Sequence, residues 1–266
     1  MLKLSGIARS TFYYHIKRKD VDKYQSEKAE ITKIFNENKG RYGYRRITAL
    51  LKAKGHHINH KTVLKLMRTL DLKGKQQKNG KYHSYRGEVG KVADNLLNRE
   101  FNANKPFEKL TTDVTEFKVC DNKVYLSPVM DLYNREIISY SISTSPNLWQ
   151  IREMLDGLFA KLPADATPIF HSDQGWQYQH AEYQRLLAEH NITQSMSRKG
   201  NCMDNGAMEN FFGRLKVEMF YGEKFESVNA FIDALKHYID YYNNERISLK
   251  LKGMSPVQYR THSLTI

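Results

Sequence analysis

In the first seventy residues the apolar positions recur at helical spacing. Within SGIARSTFYYHIKR, Ile7, Phe12 and Ile16 share one face, and Ser5, Ser10 and Thr11 are candidate caps, which predicts a short helix pair. In YGYRRITALLKAKGHHINHKTVLKLMRTLDL, Ile47, Leu50 and Leu51 form one stripe; the pattern breaks at Gly55 and resumes with Val63, Leu64, Met67 and Leu70, with Asn59 as cap. Two short amphipathic helices around a glycine-containing turn predict a helix-turn-helix. Its second helix, with His60, Lys61, Lys65 and Arg68 on the polar side, would enter a DNA major groove while the first crosses the backbone. From 73 to 95 the aliphatic anchors thin out among four glycines and many lysines, the composition of a linker.

From about residue 106 the period changes from helical to alternating. KLTTDVTEFKV, KVYLSPVMDLY and REIISYSIS are rich in β-branched and aromatic residues, with turns at Asp121-Asn122 and Tyr133-Asn134, and predict three antiparallel strands. Next come a helix in NLWQIREMLDGLFAKL, a strand in TPIFHSD, a helix in HAEYQRLLAEHN, a strand in ITQSMS, and a helix from about Asp204. Alternation of that kind calls for parallel strands and crossover helices, so a mixed five-stranded sheet with flanking helices is expected. In VNAFIDALKHYIDYYNNER, Phe231, Leu235, Tyr238, Ile239 and Tyr242 share a face suited to packing on a partner surface. The domains expected are a basic helical region over 1–72, a linker over 73–105, a mixed α/β core over 106–225, and a C-terminal helix and tail over 226–266.

Charge sharpens this division. The net charge is +13, yet residues 1–105 hold 25 Lys+Arg against 9 Asp+Glu, and residues 106–266 hold 17 against 20. The positive excess therefore belongs wholly to the helical segment, as in a polyanion-binding module joined to a separate domain. At 266 residues and 40% hydrophobic composition the chain can build a substantial core. No run reaches the roughly 18 apolar residues of a membrane span, and no signal peptide is evident, so a cytoplasmic protein is expected. Cys120 and Cys202 suggest neither a disulfide framework nor a thiolate zinc site, and two buried reduced thiols are expected. His56, His57 and His60 lack accompanying cysteines and read as contacts to DNA or solvent.

Three acids stand out. Asp113 interrupts a strand-forming run, where aspartate is depleted; Asp173 ends a strand, where open α/β sheets place ligands; Glu209 lies near the start of a helix. Converging at one sheet edge, they would repel one another unless a cation intervened, and an all-oxygen set suits Mg²⁺ or Mn²⁺. Spacing alone is not diagnostic, because 29 acids in 266 residues give about three acid pairs at any separation by chance. Glycine costs about 1 kcal/mol inside a helix, so Gly213, on one face with Glu209 and Lys216, suggests a close approach of DNA or of another backbone.

The words around the acids are more specific. TTDVTEF, FHSDQGWQY and GNCMDNGAMENFFGRLKVE closely resemble the three acidic motifs of bacterial transposases of the insertion-sequence-three family. That family's core is related to retroviral integrases and has the ribonuclease-H-like fold. GYRRITALLKAKGHHINHKTVLKLM and YIDYYNNERISLKLKGMSPVQYR resemble its N-terminal helical segment and C-terminal tail, so the likeness spans nearly the whole chain. It implies that Asp113, Asp173 and Glu209 are catalytic ligands of two Mg²⁺ or Mn²⁺ ions, and that Lys216 is the basic residue seven positions after the glutamate. The function implied is DNA cleavage and strand transfer in the bacterial cytoplasm, on the nucleoid. Its partners are double-stranded DNA, as terminal inverted repeats and target, and other subunits, as a homo-oligomer or a heteromer with the upstream-frame product. Candidate DNA contacts are Lys216, Asn205, Arg45, Arg46, Lys61, Lys65 and Arg68. The chain carries second-frame content without sustained heptads, so the alternative is a non-catalytic DNA-binding repressor acting with the frameshift-fused transposase. Trp176 stands where the family often has a small polar residue and reads as a base-stacking or a core aromatic; His171 reads as a ligand-orienting or a structural histidine.

Overall fold

The computed structural model describes residues 8–17, 22–76, 92–198 and 202–264. The chain divides into two compact units, Met1–Lys75 and Gln76–Ile266.

The first unit is helical: α1 (Arg9–Lys17), α2 (Gln25–Glu37), α3 (Tyr44–Ala53) and α4 (His60–Thr69). Ile31 and Ile34 of α2, Ile47 and Leu51 of α3, and Val63, Leu66 and Met67 of α4 are its buried anchors. The buried stripe of α4 thus includes Leu66, with Leu64 and Leu70 at its margin, a rotation of the expected set. Asn59 caps α4 as expected, its side chain accepting from Lys61 N at 2.8 Å, and Gly55 turns the chain with φ of 88°. Only one helix of the pair expected near the N-terminus falls among the described residues; Ser10 and Thr11 lie inside it rather than capping it, and Ser5 and Ile7 lie outside the described residues. Helix α2 was not anticipated, because Ile31 and Ile34 are sparse anchors in a strongly polar segment.

The second unit is built on a mixed sheet of β1 (Lys109–Thr112), β2 (Thr115–Val119), β3 (Asn122–Asp131), β4 (Ile137–Ser143), β5 (Ile169–Ser172) and β6 (Thr193–Met196). The first expected strand is two strands, which makes six rather than five. β1 and β2 both run antiparallel to β3, with Leu110 opposite Asp131 and Thr115 opposite Leu126, so they occupy one lane interrupted at Asp113-Val114. β4 lies antiparallel on the other side of β3, while β5 and β6 follow β1 in parallel. The β2–β3 turn uses Cys120 and Asp121, both at positive φ, one residue earlier than the sequence suggests. Cys120 is exposed, correcting its expected burial; the Cys202 side chain lies outside the described residues.

Helices cover both faces. Phe117, Val124, Leu126 and Met130 pack with Met208, Phe211 and Leu215 of α7 (Gly206–Leu215) and with α8 (Val228–Asn244). On the other face Leu110, Val129 and Phe170 pack with Met154, Leu155 and Leu158 of α5 (Leu148–Phe159) and with Tyr183 and Leu187 of α6 (Ala181–Glu189). The α8 stripe that looked suited to a partner surface, Phe231, Leu235, Tyr238, Ile239 and Tyr242, is buried in this unit's own core. Each such side chain contributes about 1.5–3 kcal/mol of burial free energy. After α7 the helix widens into a π-helical turn over Lys216–Phe220, and α9 (Pro256–Leu264) closes the chain. No described helix is long and apolar enough to cross a membrane.

Candidate active site

Asp113 causes the break between β1 and β2. Its Oδ1 accepts a hydrogen bond from Val114 N at 2.8 Å, a local bond that competes with the sheet ladder. The strand pauses and resumes at Thr115. Asp173 follows the last residue of β5, and its Oδ1 accepts from Gly175 N at 2.8 Å, closing a tight turn. A Cβ on residue 175 would lie 2.9 Å from that Oδ1 and 2.6 Å from Gln177 Nε2, so only glycine leaves the carboxylate in place. In the parallel β1–β5 pair Thr111 sits opposite His171. Continuing that register by two residues sets Asp113 beside Asp173 at the carboxyl ends of neighbouring parallel strands, where ligands of α/β sheets bind.

Asn205 brings the third acid to this edge. It lies immediately before α7, is 4% exposed, and joins the helix to β1: its Oδ1 accepts from Thr111 Oγ1 at 2.7 Å and its Nδ2 donates to Thr112 O at 3.1 Å. Both polar atoms are taken up by the strand that delivers Asp113, so the expected DNA contact gives way to a role in holding α7. Glu209 occupies the first turn of that helix. Lys216, seven residues on, is half-buried with its Nζ 5.3 Å from the centre of the Phe117 ring. The neighbouring Asp204 is fully buried and accepts from Arg198, Arg99 and Asn95, fastening residues 95–99 and the segment after β6 to the base of α7.

The electrostatics tie these groups together. Burial pushes the Asp113 carboxyl well above its usual range, and the charges of Asp173 and Glu209 add to this; the Val114 N–H and the Lys216 ammonium oppose it. Burial also raises Asp173. Tyr178, packed beneath, is raised first by burial and then by Asp113 and Asp173. Burial lowers Lys216, with Asp113 opposing. Among the described residues neither aspartate forms an ion pair with Lys or Arg, and no three His, Cys, Asp or Glu side chains already stand arranged to hold a metal. The donor set nonetheless suits a hard cation: two partly buried, mutually repelling carboxyls with a third within electrostatic reach and no thiolate or imidazole among them. His171 is buried, with Nδ1 2.9 Å from Ser195 Oγ; burial lowers its pKa to about 4, so it is a neutral structural histidine.

The basic candidates of the first unit are placed differently from one another. Lys61, Lys65 and Arg68 line the exposed side of α4, while His60 stacks on Tyr44. Arg45 is exposed beside Tyr44, whereas Arg46 is half-buried over the Tyr42 ring at 5.2 Å. No local pattern marks Asn205 as a helix clamp, nor pairs Glu218 with Arg246, which are buried together in the second unit.

Both units match known family models. Residues 23–80 match a family model described as an HTH-like domain, and residues 103–202 and 209–264 match two described as an integrase core domain. The chain is 53% identical over 264 residues to InsK of insertion sequence element IS150 from Escherichia coli K12, covering 99% of this chain and 93% of that protein. It is 33% identical over 270 residues to transposase InsF of insertion sequence IS3A from the same organism, covering 99% and 94%. Among solved structures, the HTLV-2 integrase catalytic core domain in complex with magnesium aligns with 59% of this chain and 98% of its own, at 16% identity and a TM-score of 0.47.

Proposed function

The chain belongs to the insertion-sequence transposases with an integrase core, a family that cuts and joins DNA, and we propose that Asp113, Asp173 and Glu209 form its divalent-cation site for strand cleavage and strand transfer. The observation that carries the proposal is the pair of partly buried aspartates at adjacent strand ends, both raised by burial and Asp113 also by the charges of Asp173 and Glu209, and lacking an arginine or lysine ion pair among the described residues. Buried charges persist when paired or when they coordinate a metal. Asp113 and Asp173 are the two fixed ligands, positioned by their bonds to Val114 and Gly175. Glu209 completes the set from α7, whose start Asn205 pins to β1. Two bound Mg²⁺ or Mn²⁺ ions would supply the Lewis acidity that activates water or a 3′-hydroxyl and stabilises the leaving oxygen. Lys216 holds a substrate phosphate at the same edge, and burial among α7 and β2 limits the volume its ammonium explores. No side-chain nucleophile is required. The exposed Lys61, Lys65 and Arg68 of α4 bind the DNA backbone from the first unit, and the protein works as a multimer on paired ends.

The test is strand transfer in vitro, on an oligonucleotide duplex carrying the element's terminal repeat, with Mg²⁺. The purified chain should join a 3′-hydroxyl to a second duplex, and Asp113→Ala or Glu209→Ala should abolish the product. Full activity in either variant would remove the three-acid site. DNA binding without any nick in Mg²⁺ would instead favour the repressor reading.

A further inference from the structure

Beside the acids lies an open cleft of about 150 Å³ that the metal site does not use. Trp176, on the turn of 3₁₀ helix that follows Asp173, forms one wall; Val114, the residue after Asp113, Tyr125 and Pro146 form others. Trp176 is 36% exposed, so it is not a core aromatic. It is also rigidly presented. Tyr178 N bonds back to Gly175 O at 3.0 Å, and Tyr178 is fully buried.

The lining selects the ligand. Glu116 is its single charged side chain among the described residues, and it is acidic, with Lys123 Nζ 3.1 Å from its carboxylate. A phosphate is therefore unwelcome. Aromatic and apolar walls with an amide-bearing neighbour, Gln177, suit an uncharged, flat, hydrogen-bonding ring. The volume is below the 300–1,000 Å³ typical of drug-sized ligand sites, as fits a single ring system. Both acids connect to the cleft through the chain itself, Asp113 through Val114 and Asp173 through Trp176 three residues on.

We propose that this cleft holds one unstacked nucleobase of the DNA strand being processed, stacked on Trp176 next to the phosphate presented to Asp113 and Asp173. The inference rests on the proposed DNA-cutting role for its choice of strand, and its test does not need cleavage. The chain has two tryptophans, so Trp149→Phe leaves Trp176 as the sole indole reporter. That protein is titrated, without metal, with a single-stranded oligodeoxynucleotide and with an abasic strand of the same length, which keeps the phosphates and removes the bases. Trp176 emission should be quenched by the base-bearing strand and not by the abasic one. In the otherwise unaltered chain, Trp176→Ala should weaken binding of the base-bearing strand about tenfold and leave the abasic strand unaffected, while Trp176→Phe should retain most of the affinity. Equal quenching by both strands, or equal affinity of Trp176→Ala and the parent chain for bases, would overturn the proposal. A chain that shows base-specific quenching yet never cuts DNA in Mg²⁺ sinks the catalytic reading alone; one that cuts without base-specific quenching sinks only the cleft.

Discussion

The second unit shields acids from water in two different ways, closely for Glu218 and Asp204 and partly for Asp113 and Asp173. Glu218, in the π-helical turn, accepts from Arg246 Nε at 2.8 Å and Nη2 at 2.6 Å and from Tyr238 Oη at 2.9 Å. Burial alone would lower the Arg246 pKa, but these bonds more than reverse that. Asp204 is likewise held far below the usual carboxylate range, chiefly by its hydrogen bonds to Arg198, against the cost of burial. Asp113 and Asp173 have backbone N–H donors instead, and they are raised. The first two acids are neutralised within the protein and fasten elements together; the second pair is left needing positive charge from outside. Asp131 sharpens the contrast: it too accepts backbone N–H bonds, from Phe107 and Tyr133, and is raised by burial to about 6, but it stands opposite Leu110 rather than beside Asp173, so the convergence of Asp113 with Asp173, and not the lack of an ion pair alone, marks the site.

The largest effect should come from the unpaired acids. Asp173→Asn should reduce Mg²⁺-dependent cleavage of a labelled duplex by several orders of magnitude while leaving the fold intact by circular dichroism. Parental activity in that variant would erase the contrast. Next is the paired acid: Arg246→Gln leaves Glu218 buried with one cation fewer and should destabilise the chain by about 3–5 kcal/mol in urea unfolding. If Arg246→Gln were stability-neutral, Glu218 would not be the structural counterpart described above.

A smaller effect carries a pH signature. Raised folded-state values mean that the native state holds its protons more tightly than the unfolded chain, whose aspartates titrate near 3.9. The stability this gives is fully present below that value and is lost as pH rises through the raised folded value. Asp113→Asn should therefore raise the melting temperature at pH 7, by about 2–4 °C for about 1 kcal/mol of relieved charge burial and repulsion, and the gain should disappear near pH 4. A constant gain at both pH values would point to packing rather than charge. The smallest effect concerns basic residues without acid partners among the described residues. Lys65→Ala on α4 should weaken duplex binding only modestly, and reduce the slope of log affinity against log salt by about one. An unchanged slope would move DNA away from that face.

Much of this fold was legible because apolar period and turn chemistry agree along most of the chain. The crossover helices and parallel strands from Leu148 to Met196 fall where alternation puts them, and Asn59 caps α4 through its side chain. Legibility failed where one residue acts on the backbone or where distant residues meet. Asp113 looked like a misfit inside a strand, yet its bond to Val114 splits that strand in two. Asn205 reads from the sequence as a DNA contact; its partners, Thr111 and Thr112, lie more than ninety positions earlier. Glu218 and Arg246 are 28 residues apart on different elements, so no local pattern pairs them. The α8 stripe was read correctly as an apolar face, but periodicity cannot say whose surface covers it.

The direct measurement of the central contrast is Mn²⁺ uptake by the purified chain, followed through loss of the free-ion signal in electron paramagnetic resonance at neutral pH. The parent chain should bind Mn²⁺, more weakly as pH falls and protons compete for the raised aspartates. The Asp113→Asn, Asp173→Asn double variant should lose that binding, whereas Glu218→Gln should keep it. Undiminished Mn²⁺ binding by the double variant would contradict the assignment of these two acids as the cation site.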